Sequence, residues 1–168
     1  GPYGMFAINR LVEQILAREL PAVASSIRLG VYAGKPIMVT ANNHTLRLYN
    51  GDTGVFWRAS GGSALVHFPD DSGLLRAVAP ERLPESETVY AMTVHKSQGS
   101  EFDHVLLILP NQPSPVLTRE LVYTGLTRAR TSVSLWCDLA LLSGALEKTA
   151  QRQSGLADAL SLSLNKRE

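Results

Sequence analysis

Two nearly uninterrupted apolar stretches, Val89–Val94 and Val105–Leu109, flank the polar run His95-Lys-Ser-Gln-Gly-Ser-Glu101. A strand with one wet face alternates apolar and polar residues. A stretch that does not alternate suits a strand covered on both faces, as in a parallel sheet. The loop at the C-terminal end of such a strand lies where ligands gather in open α/β sheets. Thr118 is placed to cap a helix through Arg119–Arg130, Ser132–Cys137 reads as a further strand, and Leu139–Ala150 as a final helix. Strand, loop, strand, helix, strand is the grammar of an α/β fold.

Upstream the pattern is different. Met5–Leu20 places Ile8, Leu11, Val12, Ile15 and Leu16 at helical spacing, with Arg10, Glu13, Gln14 and Arg18 opposite, and Pro21 stops the helix. Short β-rich pieces follow: Pro36–Thr40, Thr45–Tyr49, Val55–Arg58, Ala64–Phe68 and Leu74–Val78. Asn42-Asn43, Asn50-Gly51-Asp52, Ser60-Gly61-Gly62 and Asp70-Asp71-Ser72-Gly73 separate them as turns. Five short strands with tight turns predict a small antiparallel barrel. The first helix has no sheet of its own before it, so the barrel is expected to interrupt the α/β unit. The expected layout is 1–30 for the start of that unit, 31–87 for the barrel, 88–150 for its remainder and 151–168 for a fraying tail.

Composition narrows the class. The 168 residues carry 16 Lys+Arg against 15 Asp+Glu, a net charge of +1, so any nucleic-acid footprint must be local. Cys137 is the single cysteine, which excludes an internal disulfide and a zinc knuckle; it is expected to be buried and inert, in an intracellular, cytoplasmic protein. No run of about 18 apolar residues exists to cross a bilayer. The opening Gly-Pro-Tyr-Gly-Met5 lacks both an initiator Met and a leader pattern, so a piece of a longer chain is expected.

Chemistry concentrates in two segments. In Ala91-Met-Thr-Val-His-Lys-Ser-Gln-Gly-Ser-Glu-Phe102, the strand delivers Thr93 and His95 to its end. Gly99 lets backbone approach a ligand, Glu101 offers a carboxylate acceptor, and His95, Lys96, Ser97 and Gln98 supply donors suited to phosphate oxygens. The alternative is a solvated loop whose polar groups satisfy one another. In Thr118-Arg-Glu-Leu-Val-Tyr-Thr-Gly-Leu-Thr-Arg-Ala-Arg130, Thr124, Thr127 and Arg128 share a helical edge. Arg128 there is either a planar, permanently charged phosphate clamp or a surface arginine.

Together the two segments resemble motifs V and VI of the superfamily 1 DNA helicases, and specifically the RecD branch, the α chain of exonuclease V. The similarity extends to the Gly4-Met-Phe-Ala-Ile-Asn9 opening, the Tyr49-Asn-Gly-Asp-Thr-Gly54 turn and the Arg82-Leu-Pro84 stretch. The resemblance implies a second RecA-like domain, a parallel sheet with helices, interrupted by a small antiparallel barrel of the Src-homology kind. It implies ATP-driven 5′-to-3′ unwinding in the full-length protein, within a RecBCD-type assembly that acts in recombinational double-strand break repair. By the same likeness Arg128 reaches the ATP γ-phosphate, Gly99 and Glu101 line the nucleotide, and Arg130 supports Arg128. Thr93 and His95 hold single-stranded DNA, with Lys96 and Ser97 beside them and His44, Arg47 and Arg58 along the strand's exit. The implied partners are single-stranded DNA, an N-terminal RecA-like domain of the same chain, and RecB- and RecC-like subunits.

No G-x-x-x-x-G-K-[ST] occurs, so no loop cradles the β- and γ-phosphates or places a hydroxyl on Mg²⁺. Ser60-Gly-Gly-Ser63 lacks a following Lys. Ala64-Leu-Val-His-Phe-Pro-Asp-Asp71 imitates a Mg²⁺-binding strand end, but the Gly and β-run after it favour a hairpin turn. ATP and Mg²⁺ are therefore expected in the full-length protein, with no tight nucleotide binding and no turnover by this chain alone. A non-catalytic single-strand-binding or subunit-docking module is the competing expectation. No nucleophile with an orienting His and acid is recognisable, which sets hydrolases of that kind aside.

Overall fold

The computed structural model describes residues 4–58, 62–70 and 72–148. The chain divides into two compact units, the first ending at Lys96 and the second beginning at Ser97. The division thus falls inside the polar loop after Val94.

In the first unit, helix α1 (Met5–Glu19) is followed by a single 3₁₀ turn at Pro21–Val23 and by helix α2 (Ala24–Arg28). Strands β1 (Pro36–Val39), β2 (Thr53–Arg58), β3 (Ala64–Pro69), β4 (Leu75–Val78) and β5 (Ser86–Thr88) form one sheet in the order β4-β3-β2-β1-β5, antiparallel throughout. Alternation along the strands turns Ile37, Val39, Phe56, Val66, Phe68 and Val78 to one side, where Leu48 joins them in a core. Gly54 lies where a Cβ would stand 2.7 Å from the Phe68 ring and 2.9 Å from Val66 Cγ1, so the sheet needs its missing side chain.

Three expectations are corrected here. Among the described residues β4 and β5 are the sheet's two edges and do not pair, so the sheet is open where a closed barrel was expected. Thr45–Tyr49 is a turn held by backbone bonds between Asn43 and Leu48 and by the Asn43 side chain on Leu46 N–H, with Arg47 at φ 47°. The sheet's fifth strand is instead Ser86–Thr88, whose polar residues gave no alternating signal; pairing with β1 makes it a strand. Val89–Val94 is likewise no strand. Val89 N–H still reaches Pro36 C=O, but the backbone N–H and C=O of Ala91 are both taken by the Asn9 side chain. The look-alike of a Mg²⁺-binding strand end closes the β3–β4 hairpin, where Asp70 accepts from Ser72 and Leu74 and Gly73 takes φ +78°.

In the second unit, β6 (Phe102–Ile108) and β7 (Ala129–Trp136) pair in parallel, as buried-strand grammar requires, with helix α3 (Arg119–Leu126) as the crossover between them and α4 (Leu139–Glu147) after. Thr118 caps α3 by accepting from Leu121 N–H, and Asp138 caps α4 by accepting from Ala140 and Leu141 N–H. Val122, Gly125, Leu107, Leu109, Leu117 and Ala145 are buried. The helix expected through Arg130 stops at Leu126, and β7 starts at Ala129, so Arg128 sits at the corner and Arg130 on the strand. Cys137, expected to be buried, is half-buried. No helix among the described residues is long and apolar enough to cross a membrane. The expected tail, 151–168, lies outside the described residues.

Candidate functional site

The second unit joins the end of the first motif segment, Ser97–Phe102, to the second segment. The α3–β7 corner and the loop before β6 meet because the ladder begins there: Phe102 N–H donates to Arg128 C=O at 2.8 Å. The Arg128 guanidinium is then fixed by three neutral oxygens. Its Nε donates to Thr124 C=O at 3.1 Å, Nη1 to Ser100 C=O at 3.3 Å and Nη2 to Thr127 Oγ1 at 3.3 Å. Thr124 and Thr127 are themselves held by hydroxyl bonds to Glu120 C=O and Thr124 C=O. No carboxylate pairs with Arg128 among the described residues. A guanidinium oriented by dipoles keeps its full charge for an incoming anion, whereas a carboxylate partner would neutralise it.

Gly99 precedes this contact at φ +86°, with nothing near the place of a Cβ, so its requirement is conformational: the left-handed turn that brings Ser100 C=O to Arg128. Glu101, implied by the resemblance to line the nucleotide, is paired with Arg130 at 3.1 Å; both are well exposed, a pairing worth about 1 kcal/mol or less. Between Phe102 and His104 the register slips, with an additional residue on β7 beside Arg130. Bulges re-aim side chains, and this one falls where Arg130 turns to Glu101 and not to Arg128. Arg130 therefore braces the loop carboxylate. Ser97 is buried at 6% exposure, so its side chain does not face solvent as a DNA contact would.

Thr93, His95 and Lys96 belong to the first unit. Thr93 and His95 are exposed, and Thr93 Oγ1 accepts from Lys96 N–H at 3.3 Å. Lys96 Nζ forms an ion pair with Glu87 on β5, so its charge is already answered. Of the looser candidates, Arg47 occupies the 43–48 turn and gives its C=O to Arg76, His44 stacks edge-on against Tyr49 at 5.9 Å, and Arg58 ends β2, exposed. The residues to which the sequence assigned no role are Asn9, Tyr32 and Tyr90. Tyr32 Oη lies 3.0 Å from Glu13 and 2.9 Å from Tyr90 Oη, beside the Asn9–Ala91 bonds. Burial, reinforced by these hydrogen bonds, pushes the Tyr32 phenol far above its ordinary value, and burial raises Tyr90 as well.

Residues 88–136, which hold both motif segments, match the UvrD-like helicase C-terminal domain. The RecBCD enzyme subunit RecD of Haemophilus influenzae is 44% identical over 129 residues, covering 77% of this chain and 19% of that protein. The subunit of the same name from Mycolicibacterium smegmatis is 43% identical over 156 residues, 93% of this chain and 27% of that protein. This is a C-terminal region of a RecD-like helicase. The RecD-like chain spans only about a fifth to a quarter of the length of these relatives. Among solved structures, Pif1 helicase from Bacteroides in complex with ADP-AlF3 and ssDNA aligns over 81% of the chain and 34% of its own, at 16% identity and a TM-score of 0.47.

Proposed function

We propose that this RecD-like region supplies the phosphate-sensing arginine and part of the single-strand track of a longer ATP-dependent 5′-to-3′ DNA helicase. The observation that carries the reading is the Arg128 guanidinium, oriented by Thr124, Ser100 and Thr127 with no carboxylate paired to it among the described residues. ATP would be held chiefly by a P-loop domain elsewhere in the full-length protein, with Mg²⁺ on its own ligands. Among the described residues no three His, Cys, Asp or Glu side chains gather to hold a metal ion. Arg128 would meet the γ-phosphoryl group as negative charge spreads over its oxygens, which is where a rigid planar donor lowers the barrier. Glu101, braced by Arg130, would accept from the ribose, and the Gly99 turn would keep that loop near the nucleotide. Exposed Thr93 and His95 would donate to phosphates of the single strand.

The relatives' name places them in RecBCD enzymes. RecB- and RecC-like partners and a role in double-strand break repair belong to this same proposal.

The test is the full-length protein with Arg128→Ala. Its DNA-stimulated kcat for ATP is expected to fall about 10³–10⁵-fold while ATP affinity stays within a few-fold. An unchanged kcat would eliminate the arginine role and leave the non-catalytic binding or docking reading.

A further inference from the structure

We infer that Asn9 and the Tyr32–Tyr90 hydroxyl pair are positioning residues for the DNA contact at Thr93 and His95. This rests on the single-strand reading above.

The stretch from Val89 to Val94 leaves the sheet. Val89 makes the last backbone bond to β1, through Pro36, and four to six residues later the chain must present two exposed side chains at fixed places. Backbone that has left its ladder is held only if other groups take its N–H and C=O. Asn9 does this for Ala91: its amide nitrogen donates to Ala91 C=O at 2.9 Å, and its amide oxygen accepts from Ala91 N–H at 2.8 Å. The pair reproduces with one side chain the double bond that a neighbouring strand would make. Asn9 is 7% exposed, so water does not stand in for it.

One helical turn later on the same face of α1, Glu13 reaches the neighbouring residue, Tyr90, through the Tyr32 hydroxyl. A carboxylate only accepts, so the single Tyr32 proton goes to Glu13 at 3.0 Å and Tyr90 Oη donates to Tyr32 Oη at 2.9 Å. Lys35 answers the Glu13 charge from 3.8 Å, donates to Gly30 C=O, and lies over the Tyr32 ring. Tyr32 itself is 6% exposed. Successive residues, Tyr90 and Ala91, are thus tied to successive turns of one helix, Ala91 directly by Asn9 and Tyr90 through Tyr32, and Thr93 and His95 follow two and four residues after Ala91. None of Asn9, Tyr32 and Tyr90 carries a charge suited to a phosphate. Their effect on DNA passes through the backbone they fix.

The experiment uses the full-length protein and an oligodeoxythymidylate, comparing Asn9→Ala, Tyr90→Phe and the double variant Thr93→Ala/His95→Ala. Asn9→Ala is expected to raise the DNA concentration for half-maximal ATPase stimulation about tenfold, and Tyr90→Phe about threefold, with kcat at saturating DNA and KM for ATP within twofold of wild type. The salt slope of DNA binding should stay as in wild type, since no phosphate contact is lost. Added to Thr93→Ala/His95→Ala, Asn9→Ala should weaken DNA no further. Wild-type DNA affinity in folded Asn9→Ala and Tyr90→Phe would overturn the inference while leaving the DNA track intact. An additive loss in the triple variant would also overturn it. Wild-type affinity in Thr93→Ala/His95→Ala would remove the track itself, and the inference with it. Should Asn9→Ala not fold, Tyr90→Phe decides alone, because it deletes one oxygen.

Discussion

The sheet of the first unit buries its own side chains, whereas the parallel pair of the second leaves most of its apolar residues uncovered. In the first, Val39, Val66 and, from the 43–48 turn, Leu48 are fully buried, and β2 and β3 alternate as strands with one wet face do. In the second, seven of the eight β7 residues are exposed, Leu135 and Trp136 included, as is Leu106 on β6. Parallel strands normally sit between two covering layers, and here α3 packs on both strands with α4 against α3. The difference separates two tasks. One unit is a sheet with its own core, and it presents the exposed Thr93 and His95 proposed to contact DNA. The other holds an arginine and a loop in register, with apolar side chains exposed among the described residues.

The comparison can be broken by truncating each layer. Phe68→Ala, at a site 1% exposed, should destabilise the first unit by about 3–5 kcal/mol, while Leu135→Ala at 43% exposure should cost about 1 kcal/mol or less. Trp57 reports the first unit and Trp136 the second, so single-tryptophan variants followed through denaturant separate the two. Equal losses would mean that β7 is packed as firmly as the scaffold. Next in size, Gly54→Ala drives a methyl against Phe68 and Val66 and should cost about 1–3 kcal/mol by Trp57 fluorescence. A neutral result would show that the Phe68 ring yields easily.

In the second unit, Asp138→Ala removes the cap of α4 and should lower the Trp136 transition by about 1 kcal/mol, leaving the Trp57 transition in place. A shift of both would deny the division at Lys96. The smallest effect is a pH dependence at the β3–β4 turn. The Ser72 hydroxyl, with the Leu74 and Ser72 backbone amides, holds Asp70 below its ordinary aspartate value of 3.8. A lowered carboxyl contributes stability above that ordinary value, and the contribution fades as pH falls from there toward the lowered one. Asp70→Asn should flatten the acid limb of the first unit's stability curve slightly. An unchanged limb would take Asp70 out of the account.

What the sequence made legible follows from how local each determinant is. Turn residues such as Asp70 and Gly73, the Thr118 cap and helix α1 are set by neighbours a few positions away, and each stands within a residue or two of its expected place. Val89–Val94 read as a strand because it is apolar, yet Ala91 is bonded by Asn9, 82 positions distant, which no local pattern encodes. The same limit hid the buried side of α1. Leu11 and Ile15, counted toward its apolar face, are exposed, and Asn9 is the buried residue. At the site, the pairing of the two motif segments was legible through resemblance. The engagement of Glu101 by Arg130 was not, because it depends on the β7 bulge, which appears only when the register is known.

The central claim is that Arg128 acts on the phosphoryl group in transit and not on nucleotide already bound. Affinity for ADP with aluminium fluoride, measured beside affinity for ADP in the full-length protein, tests it most directly. Arg128→Ala should weaken binding of the aluminium fluoride complex at least about 100-fold and ADP hardly at all. Equal affinity of the variant and wild type for the complex would contradict the account.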